Sequence, residues 1–453
     1  MELKPSKDAK RPWRWLLAGC LFILLAAWLL PSFKTKQASG PSLSTNASNA
    51  DHWRALNDRW AASHAAKANS ASAEEIVARR LKQFGAKRRA LVDQLAKKYK
   101  IDLPADVKRF FDALDAGNWD DIHRLYKSLD ALNSPGSDVR KYWRAILEAY
   151  GAAEQVHLWP AQQLLDYGNG VLNSLKPGMV YFGGTDPGCF ICTMLNETSQ
   201  GEQHLTLTQN ALADSSYLEY LSAIHGDSLS LPTQEEQNNA FSQYVEDATK
   251  RAQHDAQFPE EPKQVLPGEN ITITDGHTSV SGQVAVMSIN NILTQTLLQK
   301  NPDLSFAMEE SFPMASTYAG STPLGPIVQL RAGDSITADA ASQVVNYWQN
   351  EAQNLQAGGE TSTTVLSSYA HDATAQGDLL AKNNYPAQAE QAYQTALDIS
   401  PASVEALSGL TRALTQQGQV DQAAQILDTF LQNNPAQSQA VSNLRQQLGS
   451  VPH

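Results

Sequence analysis

Cysteine is scarce in this chain, with three residues among 453. That number excludes a small secreted scaffold held together by disulfides. Basic residues are also too few for a nucleic-acid-binding protein, because 35 Lys and Arg face 47 Asp and Glu and leave a formal net charge of −12. Hydrophobic residues make up 42% of the chain, enough for packed cores, and the length predicts about two to four domains.

Several catalytic motifs are missing from the sequence as well. It contains no G-x-G-x-x-G, no P-loop lysine followed by Ser or Thr, no G-x-S-x-G, and no pair of histidines at the spacing of a metal site. We therefore predict neither a cofactor nor a metal. The sequence shows no complete set of catalytic residues.

One segment is long and apolar enough to enter a membrane. Trp15–Leu30 is an unbroken run of apolar and small residues, and five basic residues precede it. This pattern predicts an anchor within residues 1–36 that crosses the inner membrane through residues 13–33, with a cytoplasmic N-terminus and a periplasmic bulk. A cleaved signal peptide and a lipidated Cys20 are the alternatives. Neither is favoured, since no small-x-small site directly follows Leu30 and too few apolar residues precede Cys20.

The next two segments differ in composition. Residues 37–73 are rich in Ser, Ala and Asn and are predicted to form a flexible linker. Residues 74–174 carry helical patterns. Within them, 74–109 holds eleven Lys or Arg against five acids, with apolar residues at helical spacing, which predicts an amphipathic helix with a basic face. A solvated surface is the simpler interpretation of that face, and contact with anionic head groups is the alternative.

Residues 175–345 alternate between short apolar runs and helical patterns. The runs at 179–182, 205–208, 304–308 and 327–330 predict buried strands, and 271–274 followed by Asp-Gly predicts one arm of a hairpin. Helical patterns at 217–224, 235–253 and 284–299 separate them. This alternation predicts an α/β core with a largely parallel sheet, preceded by the helical segment and followed by an all-α tail.

The tail contains a repeat. Pro401 and Pro435 lie 34 residues apart, and small residues recur at helix-packing positions such as Ala389, Ala396 and Ala423. The period and the residue classes look like a tetratricopeptide array over residues 366–450, closed by a helix at 438–448. Two units are too few to bury their apolar faces alone, so we expect the array to pack against the α/β core.

Polar residues follow three of the predicted strands. In open α/β sheets, ligands bind beyond the carboxyl ends of the parallel strands, so these residues form a predicted ligand site. Glycines after the first strand, Gly188 included, would allow backbone N–H groups to approach an anion. The alternative is a tight turn in which Asp186 and Asp214 only cap helices. The predicted ligand-binding residues are Gly183, Gly184, Thr185, Asp186, Asn210, Asp214 and Glu309.

The pair Cys189-Phe-Ile-Cys192 follows the first predicted strand. A C-x-x-C at the start of a helix is the thioredoxin arrangement, and an oxidising compartment would permit a disulfide between the two residues. Bulky apolar residues separate these cysteines, and no second pair of ligands for zinc lies nearby. Buried packing or an incidental disulfide is therefore favoured over redox catalysis.

Three segments carry a resemblance to a known family. They are Val-Tyr-Phe-Gly-Gly-Thr-Asp-Pro-Gly at 180–188, Thr-Gln-Asn-Ala-Leu-Ala-Asp at 208–214 and Glu-Glu-Ser-Phe-Pro at 309–313. Over about residues 103–340 the chain resembles bacterial membrane-anchored tetratricopeptide-repeat proteins of unassigned function. More distantly it resembles the extracytoplasmic soluble domain of multi-spanning bacterial glycosyltransferases. The resemblance implies an architecture and a shared pocket, but no reaction. The family pattern has Arg where this chain has Cys189, so an anion site here would lack that cation.

These observations predict a membrane-anchored extracytoplasmic binding or scaffold protein. Its repeats would hold a protein or peptide partner, and its α/β domain a small polar or glycan-like ligand. The rival prediction is an enzyme acting on envelope carbohydrate or a phosphorylated group, with Asp186 and Glu309 as acid or base and Asn210 orienting the substrate. A thiol oxidoreductase using Cys189 and Cys192 is a third hypothesis.

Overall fold

A computed structural model describes residues 71–134, 136–266, 268–274, 276–310, 312, 315–333, 335–358 and 361–449. The predicted membrane anchor and most of the predicted linker lie outside these residues. Within the described ranges, every helix is too short or too polar to cross a membrane.

The N-terminal helical segment consists of five α-helices. Ser72 begins the first, because its hydroxyl accepts from the Glu75 N–H while the Glu75 carboxylate accepts from the Ser72 N–H. The single helix predicted over 74–109 is wrong: Lys100 takes a left-handed φ of 55°, and Pro104 starts the next helix. The helices are α1 Ala73–Tyr99, α2 Ala105–Ala116, α3 Trp119–Asp130, α4 Trp143–Leu158 and α5 Ala161–Ser174.

The core contains a five-stranded sheet with the order β2-β1-β5-β7-β6. Strand β1 pairs in parallel with β2 and β5, while β7 is antiparallel to both β5 and β6. The sheet is therefore mixed rather than largely parallel, because the chain returns through a tight β6–β7 hairpin at one edge. Its strands are β1 Val180–Gly183, β2 Leu205–Thr208, β5 Phe306–Met308, β6 Thr322–Leu324 and β7 Ile327–Leu330; β3 Asn270–Thr274 and β4 His277–Ser281 form a separate hairpin.

Helices surround this sheet at positions close to those predicted. A π-helical turn, Pro187–Ile191, follows β1 and runs into α6 Cys192–Glu197. The helices that follow are α7 Ser215–His225, α8 Gln234–Gln257, α9 Gln283–Lys300, α10 Ala315–Tyr318 and α11 Ala338–Ala357.

The tail consists of two helix pairs and a closing helix: α12 Thr363–Lys382, α13 Pro386–Ile399, α14 Val404–Gln416, α15 Val420–Asn433 and α16 Ser438–Gly449. The Tyr393 ring of α13 fills the space left by two glycines, Gly377 on α12 and Gly409 on α14, where a Cβ would overlap it. Helix α12 also packs on the sheet: Gln376 donates to the Ile327 carbonyl at 2.8 Å, and one hydrophobic core runs from α1 through the sheet into the first repeat.

Candidate functional site

The loop after β1 and the residue after β5 meet at the carboxyl edge of the sheet. The N–H groups of Gly184 and Thr185 donate to Glu309 Oε2, and the Thr185 hydroxyl donates to Glu309 Oε1. A Cβ at Gly188 would overlap the same carboxylate, so glycine is required there for close approach. The predicted anion cradle is thus built, but the chain's own Glu309 carboxylate fills it.

Helix α12 of the first repeat covers this edge with two further polar side chains. Candidate ligand atoms of Glu309, His371 and Asp372 all lie within 4.8 Å of one another. His371 Nδ1 lies 2.9 Å from Glu405 Oε2, and Nε2 lies 2.5 Å from the Glu310 carbonyl oxygen. The sheet and the repeats therefore build this site together.

The charges in this cluster are strongly perturbed. Burial raises the pKa of Asp372 well above its usual range, and the neighbouring Glu309 charge raises it further. Burial also raises the pKa of Glu309, although His371 and the Thr185 and Gly184 donors oppose that rise. Burial alone would lower the pKa of His371, but the Glu405 and Asp372 carboxylates hold it well above its usual value. The buried acids and the imidazole therefore perturb one another's pKa in opposite directions.

Asp186 stands at the start of the π-helical turn, where its side chain caps nothing. It is half-buried, and no hydrogen bond to its carboxylate is found within the described ranges. Burial raises the pKa of Asp186 to about 7, the Glu154 and Glu309 charges add to that rise, and Arg144 opposes it. A carboxyl with a pKa near neutrality can act as a proton donor or acceptor, or hydrogen-bond to a polar ligand that reaches it.

Arg144 of α4 brings a cation to the same edge. Its guanidinium donates to the Thr208 hydroxyl and to Glu148 Oε1, the latter at 3.0 Å, and lies 4.6 Å from the Tyr217 ring centroid. Its charge also acts on Cys189, whose pKa burial raises. A cation from another helix therefore acts on Cys189, which follows the glycine-rich turn after β1.

Cys189 and Cys192 are both free and buried. Burial raises the pKa of Cys189, and that of Cys192 well above its usual value, so both remain thiols at neutral pH. Of the two alternatives that the sequence left open, buried packing and a disulfide, the structure shows buried, free cysteines. A thiolate nucleophile, which an oxidoreductase needs, is disfavoured at both positions.

The two predicted residues after β2 lie at the same edge but are not joined to the cluster. Asn210 sits in a short 3₁₀ turn, Gln209–Ala211. Asp214 caps α7 by accepting from the Ser216 N–H at 2.9 Å, and it pairs with Arg140 at 3.0 Å. The capping alternative therefore describes Asp214 but not Asp186.

Sequence reasoning missed four residues that the fold brings to this edge: Arg144, Glu154, His371 and Asp372. Each lies on a helix whose pattern shows only an apolar face, so no local signal marks it. The adjacent pair His371-Asp372 is the one weak signal, since a histidine beside an acid on a helix is a plausible polar site.

Comparison with known proteins identifies the tail alone. Residues 380–448, from the end of α12 through most of α16, match the tetratricopeptide repeat family. The match agrees with the 34-residue period and confirms that the protein contains these repeats. No curated protein and no solved structure matches the chain.

Proposed function

We propose that this protein is a membrane-anchored, extracytoplasmic scaffold that holds a protein partner on its repeats and a small polar or glycan-like ligand at its α/β core. Tetratricopeptide repeats generally act as protein-interaction modules. The apolar run at residues 15–30 and the basic residues before it support the anchor and its orientation.

The second repeat presents an exposed polar face that a partner can reach. In the first repeat, α12 is largely covered, since Asp372 and Gln376 are buried against the sheet. On α15, by contrast, Asp421, Gln425 and Asp428 are exposed. This exposed polar face carries the scaffold proposal, and it predicts a partner that binds through hydrogen bonds rather than a large apolar contact.

Site-specific photo-crosslinking tests the scaffold. A photoreactive residue at Gln425 should give a discrete crosslinked product in cells, while one at Gln243, an exposed glutamine of α8, should not. Asp421→Lys should weaken the Gln425 product. Equal products from both positions, or no product from Gln425, would count against a partner on the second repeat.

The ligand proposal rests on Asp186. Asp186 is a half-buried residue at the carboxyl edge of β1, and its carboxylate is free of hydrogen bonds within the described residues, unlike that of Glu309. A neutral or ionised carboxyl beside the Arg144 cation suits hydroxyl-rich or phosphorylated ligands.

A thermal-shift screen tests this site with sugars, nucleotide-sugars, phosphates and peptidoglycan fragments. A binding ligand should raise the melting temperature of the wild type but not of Asp186→Asn. The exposed Asp303→Asn is the matched control and should respond like the wild type. A ligand that raises the melting temperature of all three proteins equally binds elsewhere. If no ligand raises the melting temperature of the wild type, the proposal of a binding role for Asp186 is wrong.

An enzyme is the second candidate, favoured by the pKa of about 7 at Asp186. Such a group is poised for general acid–base catalysis at neutral pH, and Glu154 is the nearby carboxylate that could complete a pair. Glu309, the partner first predicted, already accepts three hydrogen bonds and is poorly placed to exchange a proton. Turnover of a ligand found in the screen, lost in Asp186→Asn and retained in Asp303→Asn, would distinguish the enzyme from the binding protein.

A further inference from the structure

The cluster of Glu309, His371 and Asp372 lies where the end of β5 meets helix α12 of the first repeat. It combines two carboxylates and one imidazole, with a candidate ligand atom from each within 4.8 Å of the other two. Two acids this close repel each other when ionised, so the arrangement needs a shared proton, a charged His371 imidazole or a bound cation.

Among the residues that the structure describes, some buried polar atoms at the cluster have no hydrogen-bond partner. They are Asp372 Oδ2 and the Tyr167 hydroxyl oxygen, on side chains that are 2% and 3% exposed. The Tyr167 hydroxyl is close enough to lower the pKa of Asp372, yet the two groups do not reach hydrogen-bonding geometry. An unpaired oxygen of a buried carboxylate is costly unless a further group satisfies it.

One nitrogen of the His371 imidazole is held by a carboxylate outside the cluster, as is common in metal-binding histidines. Its Nδ1–H donates to Glu405 Oε2 at 2.9 Å, which fixes the ring and leaves Nε2 on the opposite side. Nε2–H donates to the Glu310 carbonyl oxygen at 2.5 Å. To ligate, Nε2 must release its proton and give up this hydrogen bond, while the bond to Glu405 can remain.

We propose that Glu309, His371 and Asp372 form a binding site for a divalent transition-metal ion, Zn²⁺ or Mn²⁺, that joins the sheet to the first repeat. One imidazole with two carboxylates suits these ions better than Ca²⁺ or Mg²⁺, which prefer oxygen ligands alone. Because the ligands come from β5 and α12, binding would stabilise their docking. The site reaches solvent on the His371 side, which is 17% exposed.

Metal content and thermal stability of the full-length protein test the site. After treatment with EDTA and desalting, the wild type should take up about one Zn²⁺ or Mn²⁺ per chain and melt at a higher temperature, while Mg²⁺ and Ca²⁺ should have little effect. Asp372→Asn should lower the affinity by about 100-fold or more, and Glu405→Gln, which touches only the imidazole, by about 10- to 100-fold.

Glu351→Gln is the matched control, because Glu351 of α11 is a half-buried acid whose pKa is raised to about 7 by burial and the Asp166 charge rather than by a member of this cluster. It should bind metal like the wild type. A wild type that takes up no metal, together with an Asp372→Asn variant that is more stable with or without EDTA, would show that the two acids share a proton instead. Equal uptake by the wild type, Asp372→Asn and Glu405→Gln would mean surface binding and also overturn the proposal. If Asp372→Asn fails to fold, the metal stoichiometry of the wild type and the metal affinity of Glu405→Gln still test the site.

Discussion

At the scale of single residues, Gly188 illustrates how closely the turn after β1 approaches Glu309. A Cβ there would overlap the Glu309 carboxylate, which three donors hold in place and which cannot swing aside. We expect Gly188→Ala to lower the free energy of unfolding by about 2 kcal/mol or more, measured by urea denaturation.

The control for this change is Gly201→Ala. Position 201 is exposed, and a new Cβ would meet only the Ser199 hydroxyl at 3.5 Å. Its effect should stay within about 0.5 kcal/mol. Equal stability of the two variants would mean that the Glu309 carboxylate does not sit against Gly188 in solution.

Asp186 should make the stability of the protein depend on pH. The folded protein holds the Asp186 proton up to a pKa of about 7, whereas the unfolded chain releases it near its ordinary pKa of 3.8. The folded state therefore binds more protons between these values, and the contribution of Asp186 to stability falls as pH rises from about 4 to 7. We expect Asp186→Asn to be more stable than the wild type by about 2 kcal/mol or more at pH 8 and about equally stable at pH 4.

Urea denaturation at pH 4, 6 and 8 measures this difference, with the exposed Asp303→Asn as the reference. A stability difference between Asp186→Asn and the wild type that does not change with pH would show that Asp186 has an ordinary pKa. In that case the acid–base candidate loses its main support.

At the scale of elements, a buried ion network ties α1 to the rest of the protein. The Arg88 guanidinium pairs with Glu148 of α4 at 2.8 Å and with Glu197 of α6 at 2.5 Å, and the Tyr220 hydroxyl of α7 donates to Glu148 at 2.6 Å. Removing Arg88 would leave Glu148 buried with Arg144 as its remaining cation. Arg88→Ala should cost about 3–5 kcal/mol in urea denaturation.

The next residue provides the control. Arg89 makes exposed pairs with Asp112 and Asp115, so Arg89→Ala should cost less than about 1 kcal/mol. If the two variants lost similar free energy, the basic residues of α1 would act only as a solvated face, as the sequence alone suggested.

The elements also show what a sequence can and cannot predict. Short apolar runs predicted β1, β2 and β7 closely, because a short apolar run is the pattern of a buried strand. Strand β6 was missed, since Thr322-Pro323-Leu324 contains a proline, which a strand accepts at the edge of a sheet. The break at Lys100 was missed because charge and apolar spacing continue across it.

At the scale of the whole molecule, the candidate site depends on a docking event that no local pattern records. Glu309 could be predicted from its position after a strand. Its neighbours His371 and Asp372, however, lie on a helix that the 34-residue period places in the repeat array. Their meeting follows from the burial of α12 on the sheet through contacts such as Gln376 with the Ile327 carbonyl. Distant pairs of this kind are set by the shared core rather than by local residue preferences.

The sheet and the first repeat share one hydrophobic core, so we expect them to fold together. Val365, Leu379 and Leu380 of α12 belong to the same hydrophobic cluster as Ile327 and Val328 of the sheet. A chain ending at residue 357 exposes this apolar surface and loses the Gln376 hydrogen bond. We expect it to lack a cooperative unfolding transition and to be cleaved rapidly by trypsin.

A chain ending at residue 434 is the control truncation, because of the described elements it loses only α16 and the short turn Pro435–Gln437 before it. That helix packs through Val441 and Leu444 on Leu427 and Phe430, a small cluster apart from the main core. This shorter chain should keep the cooperative transition and near-UV circular dichroism of the full protein, with a moderately lower melting temperature. A native-like near-UV spectrum from the chain ending at 357 would show that the α/β core folds alone. The first repeat would then be an appended module, and a site built by both parts would form only after they dock.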